Sequence, residues 1–254
     1  MSTSLSEPVA NGVAAVMAGT LVIIPALNEE AALPRVLQDL RELGITRIRV
    51  VDNGSTDRTA EVARHLGAEV RSEPVRGYGA ACWRGMEEMG AEVQWVLFCD
   101  ADGSDDLSEL HRLFELAAAG AEMVLGNRRA SPEGRGAMTP QQNFGNALAT
   151  ALIALGWGYR YQDLGPLRLI SRTGLDRIAM QDRGFGWTVE MQVRAVEEGL
   201  KIAEIPVGYR RRQAGRSKIS GTILGSVRAG SVILSTVGGL WLRRMFGARR
   251  TVSR

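Results

Sequence analysis

From Leu21 onward the chain alternates short apolar runs, rich in Val and Ile, with longer segments of helical periodicity, and that order admits few architectures. Strands are predicted over 21–25, 47–51, 68–71, 94–99 and 122–125, with helices over 29–43, 57–66, 78–89 and 107–119 between them. Repeated strand–helix–strand order implies an α/β chain with a mostly parallel central sheet and helices on both faces, because each parallel step needs a crossover. Gly44 and Gly67 stand where helix C-caps belong, and Ser55, Thr56 or Asp57 can cap the second helix. Further on, the pattern predicts a helix over 141–156, a strand over 167–170, a helix over 188–198 and a strand over 201–207, whose Pro206 suits a sheet edge.

At 254 residues and 45% hydrophobic content the chain has ample material for a core. One domain over 20–221 is expected, after a disordered leader over 1–19 and before an amphipathic helix and basic tail over 222–254. The leader is rich in Ser, Ala, Gly and Val and lacks the basic start of a signal peptide. Residues 126–139, rich in Gly, Arg and Pro, read as a loop long enough to be a mobile lid. Cys82 and Cys99 have no CxxC spacing, so neither a disulfide framework nor a zinc site is indicated, which suits a reducing cytoplasm.

The apolar stretch 229–242 falls short of the roughly 20 residues that a spanning helix needs. Its stripe over 223–245 is flanked by Arg228, Arg243, Arg244, Arg249 and Arg250. It suits a helix lying on an anionic membrane at the inner face, and equally a contact with the sheet or with a second subunit in a homo-oligomer. Gly238 and Gly239 are expected to break or bend that helix. Net charge is only +3, but the region after residue 205 is markedly basic, which points to an anionic partner near the C-terminal third. No nucleic-acid partner is expected.

In an open parallel sheet, ligands lie beyond the carboxyl ends of the strands. Three such ends carry distinctive polar residues: 25–29, 52–55, and Asp100-Ala101-Asp102-Gly103. Alternate positions at a strand end would aim Asp100 and Asp102 to one side, where they can share a divalent ion with phosphate oxygens. Plainer readings stand beside these. Asp52 to Ser55 is a common turn and cap, and Asp100 and Asp102 could cap the next helix, although Ser104, Asp105 and Asp106 already serve there. Gly77-Tyr78-Gly79 lacks the third glycine and the acidic residue of a dinucleotide loop, so it reads as a helix start.

Taken in order, residues 23–30, 51–57, 76–81 and 100–103 resemble the motifs of family 2 glycosyltransferases of GT-A (nucleotide-diphospho-sugar transferase) fold. Gly126-Asn127-Arg128, residues 163–168 and Arg216-Ser217-Lys218 are similar to the polyprenyl-phosphate branch, the dolichyl-phosphate mannose or glucose synthases. The resemblance covers roughly residues 21–221. It implies a nucleoside-diphosphate sugar donor (UDP-glucose or GDP-mannose), Mg²⁺ or Mn²⁺ as cofactor, and a polyprenyl phosphate acceptor. On this resemblance Pro25, Leu27, Glu29 and Asp52 would hold base and ribose, with Gly79 and Ala101 also lining the donor site. Asp100 and Asp102 would hold the metal on the diphosphate, with Ser104 where some members supply a further ligand. Arg128, Arg216 and Lys218 would bind phosphate, as arginine forks and a lysine suit its oxygens. Asp102, Asp163, Glu190 and Arg168 form the candidate catalytic set.

The acceptor decides what Asp163 and Glu190 must do. A hydroxyl acceptor needs a general base within hydrogen-bond reach. A lipid phosphate, with a second pKa near 6, is already charged at neutral pH and needs none. The basic loops favour the phosphate acceptor, leaving Asp163 to organise the acceptor loop and Glu190 to orient Trp187, Arg168 or the donor sugar. Transfer to a hydroxyl, nucleotidyl transfer and a non-catalytic nucleotide-sugar-binding module are the alternatives.

Overall fold

The computed structural model describes residues 7–210 and 223–247. Helix α1 spans Glu7–Ala18, followed by β1 (Thr20–Ala26), α2 (Leu33–Glu42), β2 (Ile48–Asp52), α3 (Thr59–His65), β3 (Glu69–Ser72), α4 (Tyr78–Met86) and β4 (Trp95–Phe98). The second half adds α5 (Leu110–Ala118), β5 (Met123–Asn127), α6 (Pro132–Ala137), α7 (Pro140–Trp157) and β6 (Arg168–Ser171). Next come α8 (Arg172–Ile178), α9 (Trp187–Glu197), β7 (Ile202–Pro206) and α10 (Ile223–Gly247).

These strands form one 7-stranded sheet in the order β3-β2-β1-β4-β6-β5-β7. All pairings are parallel except those of β6, which runs antiparallel to both β4 and β5. The order reverses direction at β1, between β2 and β4, which is where an open sheet opens a crevice at its carboxyl edge. Pro206 sits in β7 at the sheet's outer edge, where its missing N–H leaves no ladder bond unmade.

The central strands are buried on both faces. One face carries Val22, Ile24 and Val50 against α2, α3 and α5, and the other carries Ile23, Val51 and Phe98 against α4, α8 and α9. The side chains of α2 show why it lies where it does: Leu33, Val36, Leu37 and Leu40 recur at helical spacing and are all buried. Helix α7 starts on a capping box, Thr139 Oγ1 accepting from Gln142 N (3.2 Å) and Gln142 Oε1 accepting from Thr139 N (2.8 Å), with Pro140 first in the helix.

Four expectations are corrected. The leader expected to be disordered is helical over Glu7–Ala18, and Val13 and Val16 are buried in the same cluster as Leu113, Phe114 and Ala117 of α5. Its small-residue composition hid two valines one turn apart. The region 126–139, expected to be an open loop, holds a 3₁₀ turn (Arg128–Ala130) and α6, with Ser131 Oγ capping Gly134 N at 2.9 Å. Gly238 and Gly239 neither break nor end α10, because Val237 and Leu240 on either side of them are buried in the core, and packing outweighs about 1 kcal/mol of propensity per glycine. Strand β4 ends at Phe98, so strand alternation does not set the directions of Asp100 and Asp102; the turn after it does.

Candidate active site

The turns leaving β1 and β2 are tied together side chain to backbone. Asn28 adopts a left-handed φ of 53°, its N–H donates to Ser55 Oγ (2.9 Å) and its Oδ1 accepts from Thr56 N (2.7 Å). Glu29 N donates to Thr59 Oγ1 (2.8 Å), and Asp52 Oδ1 accepts from Ser55 N (3.1 Å). Asn53 reaches further, donating to the carbonyls of Glu73 and Val75 and accepting from Gly77 N. This rigid rim presents Pro25, Leu27 and Asp52, all part-buried, at the crevice. Asp52 therefore does serve its own turn, as the plainer reading held.

Beyond β4 the chain turns through Asp100, Ala101, Asp102 and Gly103. Gly103 has a φ of +69°, a conformation that side-chain-bearing residues rarely adopt. Asp102 is buried and its Oδ1 accepts from Ser104 N (2.9 Å), while Asp100 is part-buried. A third carboxylate, Asp105, stands behind them: Asp100 N reaches its Oδ2 (3.5 Å), and its buried Oδ1 makes no hydrogen bond. Burial pushes the Asp105 carboxyl up to about 7, opposed by the Arg128 cation and reinforced by the Asp102 charge. Such a concentration of hard oxygen donors fits a divalent cation completed by diphosphate oxygens. Among the described residues no group of three His, Cys, Asp or Glu side chains is arranged to enclose a metal alone.

The wall opposite is built differently. Asp163 is almost fully buried and every oxygen is engaged: Oδ2 accepts from Arg128 N (2.8 Å) and Nε (2.9 Å), Oδ1 from Arg128 Nη2 (2.9 Å) and from Asn146 Nδ2, and its carbonyl from Gln192 Nε2 (3.1 Å). Burial alone would raise the Asp163 pKa, but the bidentate Arg128 guanidinium and the other donors outweigh it and hold the carboxyl below the usual carboxylate range. Arg128 in turn lies over the Tyr209 ring at 5.0 Å, and Tyr209 bridges to Asp105. Asp106 N donates to Gly208 O (3.0 Å), and Arg210 N donates to Ser104 O (2.8 Å). The carboxylate turn is thereby clamped to segment 207–210, which leads into the basic stretch; Arg211, Arg212, Arg216, Ser217 and Lys218 lie outside the described residues.

Arg168 and Glu190, expected among the catalytic residues, are both buried in this structure. Arg168 is fully buried opposite Phe98, donating to the carbonyls of Gly165 and Thr188 and lying over Trp187 at 5.6 Å. Burial lowers its pKa. Glu190 Oε2 accepts from Gln181 N (3.0 Å) and Asp182 N (2.6 Å), shaping the turn before α9. That turn rests on α4: Trp83 Nε1 donates to Asp182 O (2.9 Å) and Gly79 N to Gly184 O (3.2 Å). A Cβ on Gly79 would stand 2.5 Å from Gly184 O, so Gly79 serves this close approach rather than an open phosphate cradle. Arg128, expected to bind phosphate, has its guanidinium committed to Asp163.

Sequence reasoning passed over Asn146, Asp105, Gln192 and Tyr209. Asn146 had a legible signal, an amide at helical spacing from Ala149, Ile153 and Trp157 on the buried face of α7. Asp105 was read only as a cap.

A family model for glycosyl transferase family 2 matches residues 21–180, the span from β1 through the carboxylate turn to the Glu190-held loop. The chain belongs to that family. This family 2 glycosyltransferase is 37% identical over 214 residues to an uncharacterized glycosyltransferase of Mycobacterium tuberculosis, a match covering 82% of this chain and 93% of that protein. It is 34% identical to the undecaprenyl-phosphate mannosyltransferase of Micrococcus luteus (81% and 89% covered) and 30% identical to the polyprenol monophosphomannose synthase of Mycolicibacterium smegmatis (80% and 82% covered). Glucosyl-3-phosphoglycerate synthase of Mycobacterium tuberculosis, solved with UDP, shares the GT-A fold at TM-score 0.69 and 24% identity, covering 94% of this chain and 86% of its own. The enzyme is a glycosyltransferase. No helix among its described residues is long and apolar enough to cross a membrane.

Proposed function

We propose that this glycosyltransferase moves a hexose from a nucleoside-diphosphate sugar to a polyprenyl phosphate, with inversion and with a divalent metal, at the cytoplasmic side. The observation that carries the acceptor reading is the state of Asp163. A general base needs a free oxygen and a pKa near the working pH. Asp163 has neither, being saturated by Arg128 and Asn146 and held acidic. Glu190 is engaged by two backbone N–H groups. With both expected bases committed to structure, and the Asp105 carboxyl buried behind the Asp100–Asp102 turn, an acceptor that arrives already ionised is favoured, and a phosphate monoester is one. The names of the Micrococcus luteus and Mycolicibacterium smegmatis relatives support the same class and mannose as the sugar.

In this reading the acceptor phosphate oxygen attacks the anomeric carbon in line, the bond from that carbon to the diphosphate breaks, and the electron pair leaves on the nucleoside diphosphate. Mg²⁺ or Mn²⁺ would supply the positive charge that stabilises the departing diphosphate. Asp100 and Asp102 would hold that ion, and the rim formed by Pro25, Leu27, Glu29 and Asp52 would hold base and ribose. Asp163 and Arg128 fix the acceptor-side wall, Arg168 and Glu190 position its neighbouring turns, and Arg216 and Lys218 receive the acceptor phosphate.

The test is release of UDP from UDP-glucose and of GDP from GDP-mannose, with Mg²⁺ or Mn²⁺, each with and without polyprenyl phosphate. Release that depends on polyprenyl phosphate, together with sugar recovered on the lipid, is the expected result. Transfer only to hydroxyl acceptors, or production of pyrophosphate, would contradict it.

A further inference from the structure

Helix α10 is apolar on two sides. One side is used: Val237 and Leu240 are buried against α7 and α9. On the other, Leu234, Trp241 and Met245 recur in one stripe at the 3.6-residue period, with Leu242 and Phe246 beside them, and all five are exposed. Phe246 is 61% exposed, more than a satisfied core aromatic would tolerate.

Helix α7 repeats the arrangement. Its inner face carries Asn146, which holds Asp163, while its outer face carries Phe144 (70% exposed) and, about three turns on, Leu155 (86% exposed). None of its 18 residues is charged. The two outer faces adjoin, since a Cβ on Gly156, next to Leu155, would lie 3.5 Å from the Trp241 ring.

What covers this surface is indicated by its charge. Neither helix holds an Asp or Glu, and the exposed arginines Arg243 and Arg244 rim the α10 stripe. Both are splinted to the body, Arg243 to Gln181 Oε1 (2.8 Å) and Arg244 to Gly156 O (2.9 Å). Between them, Arg194 and Trp157 opens a cavity of about 470 Å³, whose one carboxylate, Glu197, is already engaged by Trp157 Nε1 (2.9 Å) and Arg194 (3.5 Å). A two-fold contact of this face with a second copy would set arginine against arginine with no carboxylate from either helix to relieve it. An anionic lipid surface offers the complement: acyl chains for the stripe and phosphate headgroups for the arginines and the cavity between them.

We propose that the adjoining outer faces of α7 and α10 dock on an anionic phospholipid bilayer. The inference does not rest on the acceptor reading. It does give α7 two duties, since the helix that lies on lipid by one face holds Asp163 by the other.

Flotation of the full chain with phosphatidylcholine vesicles that contain phosphatidylglycerol, and no polyprenyl phosphate, tests it. Wild-type protein is expected to rise with these vesicles, to be released by raised ionic strength, and to stay behind with pure phosphatidylcholine. Leu155→Ser/Phe246→Ser, two exposed positions, should partition at least about tenfold less while keeping the wild-type circular dichroism and melting temperature. Wild-type protein left in solution with the phosphatidylglycerol vesicles overturns the proposal. So does a wild-type dimer in sedimentation equilibrium that the same two substitutions dissociate. Since these vesicles carry no acceptor, failure here leaves the transfer reading untouched, and failure of transfer leaves docking untouched.

Discussion

The two walls of the crevice achieve order by opposite means. The proposed donor-side wall, from the β1 and β2 turns to the Asp100–Gly103 turn, is held by backbone N–H groups that donate to side-chain oxygens, and Asp52 and Asp100 in it are part-buried. The proposed acceptor-side wall is held by the Arg128–Asp163 ion pair and by amides, buried out of reach of solvent. A carboxylate matched by a buried guanidinium is architecture, whereas a part-buried one at a turn can still meet a ligand. Similar residue types, Asp and Arg, thus have different meanings on the two sides.

Substitutions should separate the walls. The largest effect is expected at Asp102. Asp102→Asn should lower sugar transfer at least about hundredfold, because only the transition state develops the full charge on the leaving diphosphate, while the urea midpoint shifts little. Comparable transfer by the folded variant would break the distinction. Asp163→Ala should instead act through stability, costing about 3–5 kcal/mol by urea unfolding, since it strands the buried Arg128 charge.

The same pair has a pH signature. The folded-state pKa of Asp163 is depressed, so its stabilisation is complete above the unfolded value of about 3.9 and is lost as pH falls through the lower folded value. The stability gap between wild type and Asp163→Asn should therefore persist from neutrality down to about pH 4 and close below it, as followed by urea titration at successive pH values. A gap that closes between pH 7 and 5 would mean that Asp163 is not the group held by Arg128.

A smaller effect is expected where the walls meet. Gly79→Ala must displace the Gly184 carbonyl, so about 1–3 kcal/mol of stability should be lost, with a raised KM for the donor. The smallest effect belongs to Glu190→Gln. It keeps an acceptor for Gln181 N and Asp182 N but loses the charge, and should cost about 1 kcal/mol by thermal unfolding with kcat largely kept. A loss of kcat as large as that of Asp102→Asn would make Glu190 a participant in the chemistry.

The contrast also explains what could be read from the sequence. Features of the proposed donor side are local: a strand run, then a turn residue, then a carboxylate, all within a few positions, so the strand ends were legible. Acceptor-side features are pairings across distance. Arg128 and Asn146 meet at Asp163 only because β6 returns antiparallel between β4 and β5, a reversal that no local pattern announces. For that reason the partners that Arg128, Arg168 and Glu190 find elsewhere in the chain were not legible. Helix α1 was missed on the same ground, since Val13 and Val16 have meaning only against α5.

The division between a charged donor wall and a neutralised acceptor wall is tested most directly by calorimetric titration of UDP and GDP into folded wild type, Asp102→Asn and Asp163→Asn, with and without Mn²⁺. The account predicts that Mn²⁺ tightens nucleotide binding in wild type and in Asp163→Asn, and that Asp102→Asn loses this dependence. Equal Mn²⁺ dependence in Asp102→Asn and wild type would contradict it.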